Sequence, residues 1–128
     1  MKLITKEIEK NMPGPRAMEN VEDPVCVVKF FHPATSWTWF AYEAWRVIVD
    51  AVTGDFIDER KLSEPLKPNE KEEDIIFFGM VHGFEKELGT FSLNELQSLH
   101  HGQSGFRALP VERDLHWKPK RVSEVDND

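Results

Sequence analysis

Two groups of side chains in this sequence have the types that metal binding or acid–base chemistry requires. His82, Glu85 and Glu87 place an imidazole and two carboxylates around Gly83. Such a trio could hold a cation or move a proton, and a turn between strands is where such groups are presented. The spacing matches no established metal motif, so the competing reading is a surface hairpin whose carboxylates face water. The second group is His100 and His101 with His116, joined by Asp114 or Glu112. Adjacent helical histidines point to different sides, so usually one of the pair could share a zinc ion with His116 and an acidic neighbour. Histidines that simply finish a helix, where a cation suits the carbonyl end, are the alternative.

Nucleophilic chemistry has less to draw on. Ser36, Thr35 and Ser92 have no base-and-orienter pattern around them. Gly79, Gly83 and Gly89 follow strand-like runs without the helix entry that a phosphate loop needs. The single cysteine, Cys26, excludes an internal disulfide and a cysteine-cluster zinc site. It lies inside the apolar run Val25-Cys26-Val27-Val28 and reads as a small hydrophobe. The Glu112-Arg113-Asp114 stretch reads as architecture, an arginine able to pin the C-terminal segment to the sheet.

Charge gives a different lead. Between Glu43 and Glu95 thirteen acidic residues face six basic ones, a balance of −7 that equals the net charge of the whole chain. The excess peaks at Glu70-Lys71-Glu72-Glu73-Asp74, with Asp55, Asp58 and Glu59 upstream. A bias of this sign repels a phosphate backbone and attracts a basic partner. The tryptophans near Thr38 lack basic neighbours, so direct nucleic-acid binding is not expected. A loop that is merely well solvated is the simpler alternative.

The elements that would position these residues are short. Thr5 N-caps a helix reaching Met12, which Pro13-Gly14-Pro15 ends. Val25 to Phe31 and Trp37 to Tyr42 read as strands joined by the link His32 to Ser36. Alternation sends Trp37, Trp39 and Ala41 to one face and Thr38, Phe40 and Tyr42 to the other, so both faces should be covered. Arg46 to Val52 continues the pattern or forms another strand, and a turn at Thr53-Gly54-Asp55 leads into Phe56-Ile57-Asp58. Residues 59–74, with two prolines and no periodicity, are expected as an exposed acidic loop. Ile75 to Val81 is the clearest strand, with Gly79 marking a bulge or a close backbone approach. After Leu88 to Phe91, a capping box Ser92-Leu93-Asn94-Glu95 opens a helix lined by Leu93, Leu96 and Leu99. The acidic tail 123–128 is expected to fray.

Several ordered blocks carry a resemblance. They are Lys2-Leu3-Ile4-Thr5-Lys6-Glu7-Ile8, Val28-Lys29-Phe30-Phe31-His32-Pro33, Trp37-Thr38-Trp39-Phe40 and Phe77-Phe78-Gly79-Met80-Val81-His82-Gly83-Phe84-Glu85-Lys86-Glu87-Leu88-Gly89. Phe91-Ser92-Leu93-Asn94-Glu95-Leu96 and the run Pro110 to Lys120 complete the pattern. Together they resemble a bacterial family catalogued as domain of unknown function 2958, whose members are carried on plasmids, phages and integrative elements. The stretch from about Arg46 to Glu73 looks longer than that family's usual link. The resemblance implies an accessory protein of mobile DNA and carries over no catalytic residue.

A chain of 128 residues with 40% hydrophobic and 11% aromatic content is expected to form one domain. The expected class is α+β, an antiparallel sheet of about four or five strands flanked by two short helices. The start of the chain lacks the apolar core of a signal peptide, and no stretch is long enough to span a bilayer, so a cytosolic location is expected. The expected function is non-enzymatic binding to a host protein with a basic face, as a counter-defence inhibitor acting on restriction or a CRISPR effector. The contact would run through Glu70, Glu72, Glu73, Asp74, Asp55, Asp58 and Glu59, with no cofactor. The alternative is a small zinc protein or metal-dependent enzyme built on the histidines above.

Overall fold

The computed structural model describes residues 2–99 and 109–128. It is α+β, with a six-stranded antiparallel sheet, a two-stranded ribbon and two short helices. The elements run α1 (Lys6–Asn11), β1 (Val25–Cys26), β2 (Val28–Phe31), β3 (Thr38–Asp50), β4 (Phe56–Lys61), β5 (Glu70–His82), β6 (Lys86–Ser92), α2 (Leu93–Ser98), β7 (Glu112–Arg113) and β8 (Lys120–Arg121). A 3-10 helix, Val122–Asn127, closes the chain. The strand count exceeds the expected four or five because the two-residue strands β1, β7 and β8 have too little sequence for a pattern.

Strand β3 organises the sheet. One edge pairs with β5 from Thr38↔His82 to Asp50↔Glu70. The other edge is shared, β2 taking Thr38 to Ala41 and β4 taking Trp45 to Val49. Beyond these, β6 pairs with β5 and β7 with β2, giving the order β6-β5-β3-β2-β7. Gly79 is where the backbones come closest. A Cβ there would stand 1.7 Å from the Phe40 carbonyl oxygen, opposite a bulge between Ala41 and Glu43.

Alternation along β3 splits the aromatic residues between two cores, as the sequence pattern requires. Trp39, Ala41 and Ala44 join Phe30, Phe77, Phe91, Leu96 and the N-terminal Leu3, Ile4 and Met12. Phe40 and Tyr42 join Cys26 and Val125 on the other face, with Met18, Phe78, Met80 and Trp117 packed around them. Both helices cap as expected: Thr5 Oγ1 accepts from the Ile8 amide and Ser92 Oγ from the Glu95 amide. The reciprocal half of the Ser92 box, a bond from the Ser92 amide to the Glu95 carboxylate, is not formed among the described residues.

Two expectations need correction. Residues 59–74 are not one loop: β4 runs to Lys61 and β5 starts at Glu70, leaving 62–69 as the connection. Nor does the tail 123–128 fray. Val125 is fully buried, Ser123 bonds to the Asp23 carboxylate through its amide and hydroxyl, and Asp128 takes bonds from Lys120 and from the Trp117 indole. Two apolar residues, Val122 and Val125, are enough to seat this helix on the second core, because its polar neighbours find fixed partners.

Candidate functional site

The acidic middle of the sequence folds as an arm. The second half of β3 lies between β4 and the first half of β5. Arg46 and Arg60 stand directly opposite each other on adjacent strands, a like-charge pairing that would destabilise the sheet if left alone. Each is answered by a carboxylate from β5. Arg46 Nη1 reaches Glu72 at 2.7 Å, while its Nη2 donates to the Leu62 carbonyl at 2.7 Å. Arg60 grips Glu70 with two parallel bonds of 2.6 and 3.0 Å and touches Asp58 at 3.5 Å. Bidentate pairs of this kind are the strong form of ion pair.

Glu70 is therefore an internal anchor and not a free surface charge. Its side chain is 4% exposed, and it also accepts the Lys67 amide at 2.7 Å. The Arg60 hydrogen bond, then the Lys67 amide, lower its pKa from the ordinary 4.5 to about 2. Asp74 is likewise engaged, accepting the amides of Ile75 and Asn94, and the Glu73 carbonyl takes the Asn94 side chain. These bonds tie the root of the arm to the start of α2. Three of the seven acidic residues singled out by sequence, Glu70, Glu72 and Asp74, thus hold the arm together.

The other four remain available. Asp55, Asp58, Glu59 and Glu73 are exposed. Beside them stand Val52, 92% exposed, together with Phe56 and Ile57. The turn that carries Val52 is rigid, since the Asp50 carboxylate accepts the amides of Val52 and Thr53 and Gly54 adopts φ 78°. Those amide bonds lower the Asp50 pKa. Among the described residues β4 pairs only with β3, so its outer edge is unpaired. The charge is visible in the sequence, but the exposure of its apolar company is not. The apolar side chains of the arm were visible, yet nothing in the sequence marks them as uncovered.

The structure separates the first metal trio. Glu87 stands opposite Val81, so it shares the face of Trp39, whereas His82 points to the other face. There His82 is buried against the Phe40 ring, and its Nε2 has no partner among the described residues. Desolvation, then nearby Lys86, lower its pKa. Of the second group, His100 and His101 lie outside the described residues. The Asp114 carboxylate accepts the His116 amide at 3.0 Å and faces Lys29 at 3.6 Å, an arrangement that builds a turn. Glu112 and Arg113 pair with the edge of β2, and Arg113 donates to the Lys2 and Leu3 carbonyls. Backbone pairing with β2 thus holds the C-terminal segment to the sheet, while these Arg113 bonds tie down the N-terminal segment through its carbonyls. Among the described residues no three His, Cys, Asp or Glu side chains converge on one point.

At the opposite end of β3 lies a feature the sequence did not announce. The turn His32 to Trp37 and the turn Gly83 to Glu85 come together there, and Gly83 lies against the Trp37 ring. Phe84, 96% exposed, sets its edge on Trp37 with ring centroids 5.3 Å apart. Among the described residues no helix is long and apolar enough to cross a membrane. No protein-family model, curated protein or solved structure matches this chain.

Proposed function

We propose that this chain is a non-catalytic binding protein of a mobile genetic element, allied to domain of unknown function 2958, whose arm engages a basic face on a host protein. One observation carries the reading. Asp55, Asp58 and Glu59 stay exposed beside Val52, Phe56 and Ile57, on β4 and the turn before it, and among the described residues the outer edge of β4 is unpaired. Edge strands are usually blunted, and a charged but partly apolar edge suits a partner able to supply both cations and apolar contact. If the partner's basic face is one that holds DNA, occupying it makes the protein a counter-defence inhibitor, directed at restriction or a CRISPR effector.

The test starts from a partner captured on the immobilised protein from a bacterial lysate and then purified. Its affinity is measured across a salt series for the parent and for a variant with Asp55, Asp58, Glu59 and Glu73 all changed to Lys. The parent's affinity should fall as salt rises, and the variant should bind at least about tenfold more weakly at low salt. Asp55, Glu59 and Glu73 anchor nothing in the arm through their carboxylates, and Asp58 only flanks the bidentate Arg60–Glu70 pair at 3.5 Å, so the variant's fold should persist. Equal affinities at every ionic strength would remove the arm from the interface.

A further inference from the structure

A hollow of about 270 Å³ opens at the Thr38 end of β3, lined by His32, Thr35, Trp37, Trp39, Glu95 and Leu99. We propose that it binds an alkylated ammonium ion, with Trp37 and Trp39 as its aromatic wall and Glu95 as the countercharge. The two indoles are neighbours on one face of the strand, with centroids 6.0 Å apart and planes 33° apart, so together they form a continuous π surface. Gly83 and Phe84 back the Trp37 ring, which is only half-buried. A ring held in place yet left partly open is what cation–π recognition needs.

The electrostatics favour a cation. Glu95 is exposed, and its carboxylate has no partner among the described residues, the cap of α2 using only its amide. Among the described residues no lysine or arginine lines the hollow. On the far side of Trp37 a second hollow carries Glu85 and Glu87, and Lys86 between them turns to the Asp126 carbonyl. His32 Nδ1 accepts the Ala34 amide at 3.3 Å, which leaves Nε2 as the ring's donor.

The scarcity of acceptors narrows the cation. A guanidinium brings five N–H donors and a quaternary ammonium brings none. Among the described residues Glu95 brings the one carboxylate in the lining, and the Thr35 hydroxyl already accepts the Trp37 amide. A methylated ammonium fits that balance. The head group could belong to a free small molecule or to a methylated lysine of a protein. The site lies at the other end of β3 from the arm, so the two proposals stand or fall separately.

The full chain is titrated with tetramethylammonium, with choline, with a peptide containing trimethyllysine, and with 3,3-dimethylbutan-1-ol, the neutral isostere of choline. Tryptophan fluorescence and the indole N–H resonances report occupancy. Saturable binding of the cations is expected, with the isostere at least about tenfold weaker. Glu95→Gln keeps the amide that caps α2, and it should weaken cation binding about fivefold without changing the isostere. Trp37→Leu should abolish the cation response while the other resonances show an intact fold. Tighter binding of the peptide than of choline assigns the head group to a protein partner, and the reverse assigns it to a free molecule. Equal binding of isostere and cation, or no saturable response to any probe, overturns the proposal.

Discussion

The two ends of strand β3 are held by different chemistry. Around Trp39, Phe40 and Ala41 the strand is covered on both faces, and aromatic rings meet edge to face or stacked within about 5 to 6 Å. Around Arg46 to Asp50 the apolar contribution shrinks to residues such as Ile48, Val49 and Leu62, and the strands are joined by arginine–carboxylate pairs. The first arrangement resists loss of any one contact because many neighbours share it. The second depends on a few directional bonds whose strength changes with pH and salt. A protein with one end of each kind can keep a fixed scaffold while presenting a charged arm to a partner.

The largest effect should come from opening the aromatic end. Phe77 is fully buried, stacked on Phe91 at 5.2 Å and set edge-on to Phe30 at 5.4 Å. Phe77→Ala should cost about 3–5 kcal/mol, read from denaturant unfolding. A loss under about 1 kcal/mol would mean that this core collapses around the gap, and that the contrast between the two ends has been overdrawn. A smaller effect is expected at the junction of β6 and α2. Ser92→Ala removes the acceptor of the Glu95 amide and should cost about 1 kcal/mol. Unchanged thermal unfolding would show that α2 is held by Leu96 and Leu93 alone.

The contrast also explains which parts of the fold could be read from sequence. The aromatic end was legible because its alternation is apolar: Trp37, Trp39 and Ala41 on one face, Thr38, Phe40 and Tyr42 on the other. The arm was not, because Glu70-Lys71-Glu72-Glu73-Asp74 is a strand whose inward side is charged. Its partners, Arg60 and Arg46, come from distant positions in the chain, so no local window reveals them. The same holds for the aromatic hollow. Alternation put Trp37 and Trp39 together, but only the folded chain adds His32 and Glu95. The capping-box pattern in the sequence gives Glu95 a different task. Seven candidate contact residues were named from charge, and the fold turns three of them inward.

Acid should loosen the aromatic end through one residue. His82 is 8% exposed beside Phe40, and desolvation, followed by Lys86, holds its pKa below the ordinary 6.5. The unfolded chain therefore binds this proton first. The stability it confers is complete above pH 6.5 and declines as pH falls through 6.5 toward the lowered value. Global unfolding measured between pH 8 and pH 5 should show that decline, and His82→Gln should flatten it. An identical slope in the variant would assign the acid sensitivity elsewhere.

The arm should respond to acid in a lower window and mostly locally. Glu70 titrates at about 2 in the folded chain against an ordinary 4.5, because Arg60 and the Lys67 amide bind its ionised form. A depressed carboxylate contributes stability that is present above about pH 4.5 and is lost as pH falls toward 2. Amide exchange should therefore quicken in β4 and in the first half of β5 across that window. The amides of Phe77 to Val81, held between two cores, should stay protected longer. Arg60→Met at neutral pH should give the same pattern without acid, since it removes the guanidinium while keeping much of the aliphatic stem. Global stability should move less than for Phe77→Ala, because local opening of a segment does not require the rest of the sheet to separate. If acid and Arg60→Met instead raise exchange equally along the whole of β5, the arm is no separate unit. The two ends of β3 would then open as one, and the charged end would be as much a part of the scaffold as the aromatic one.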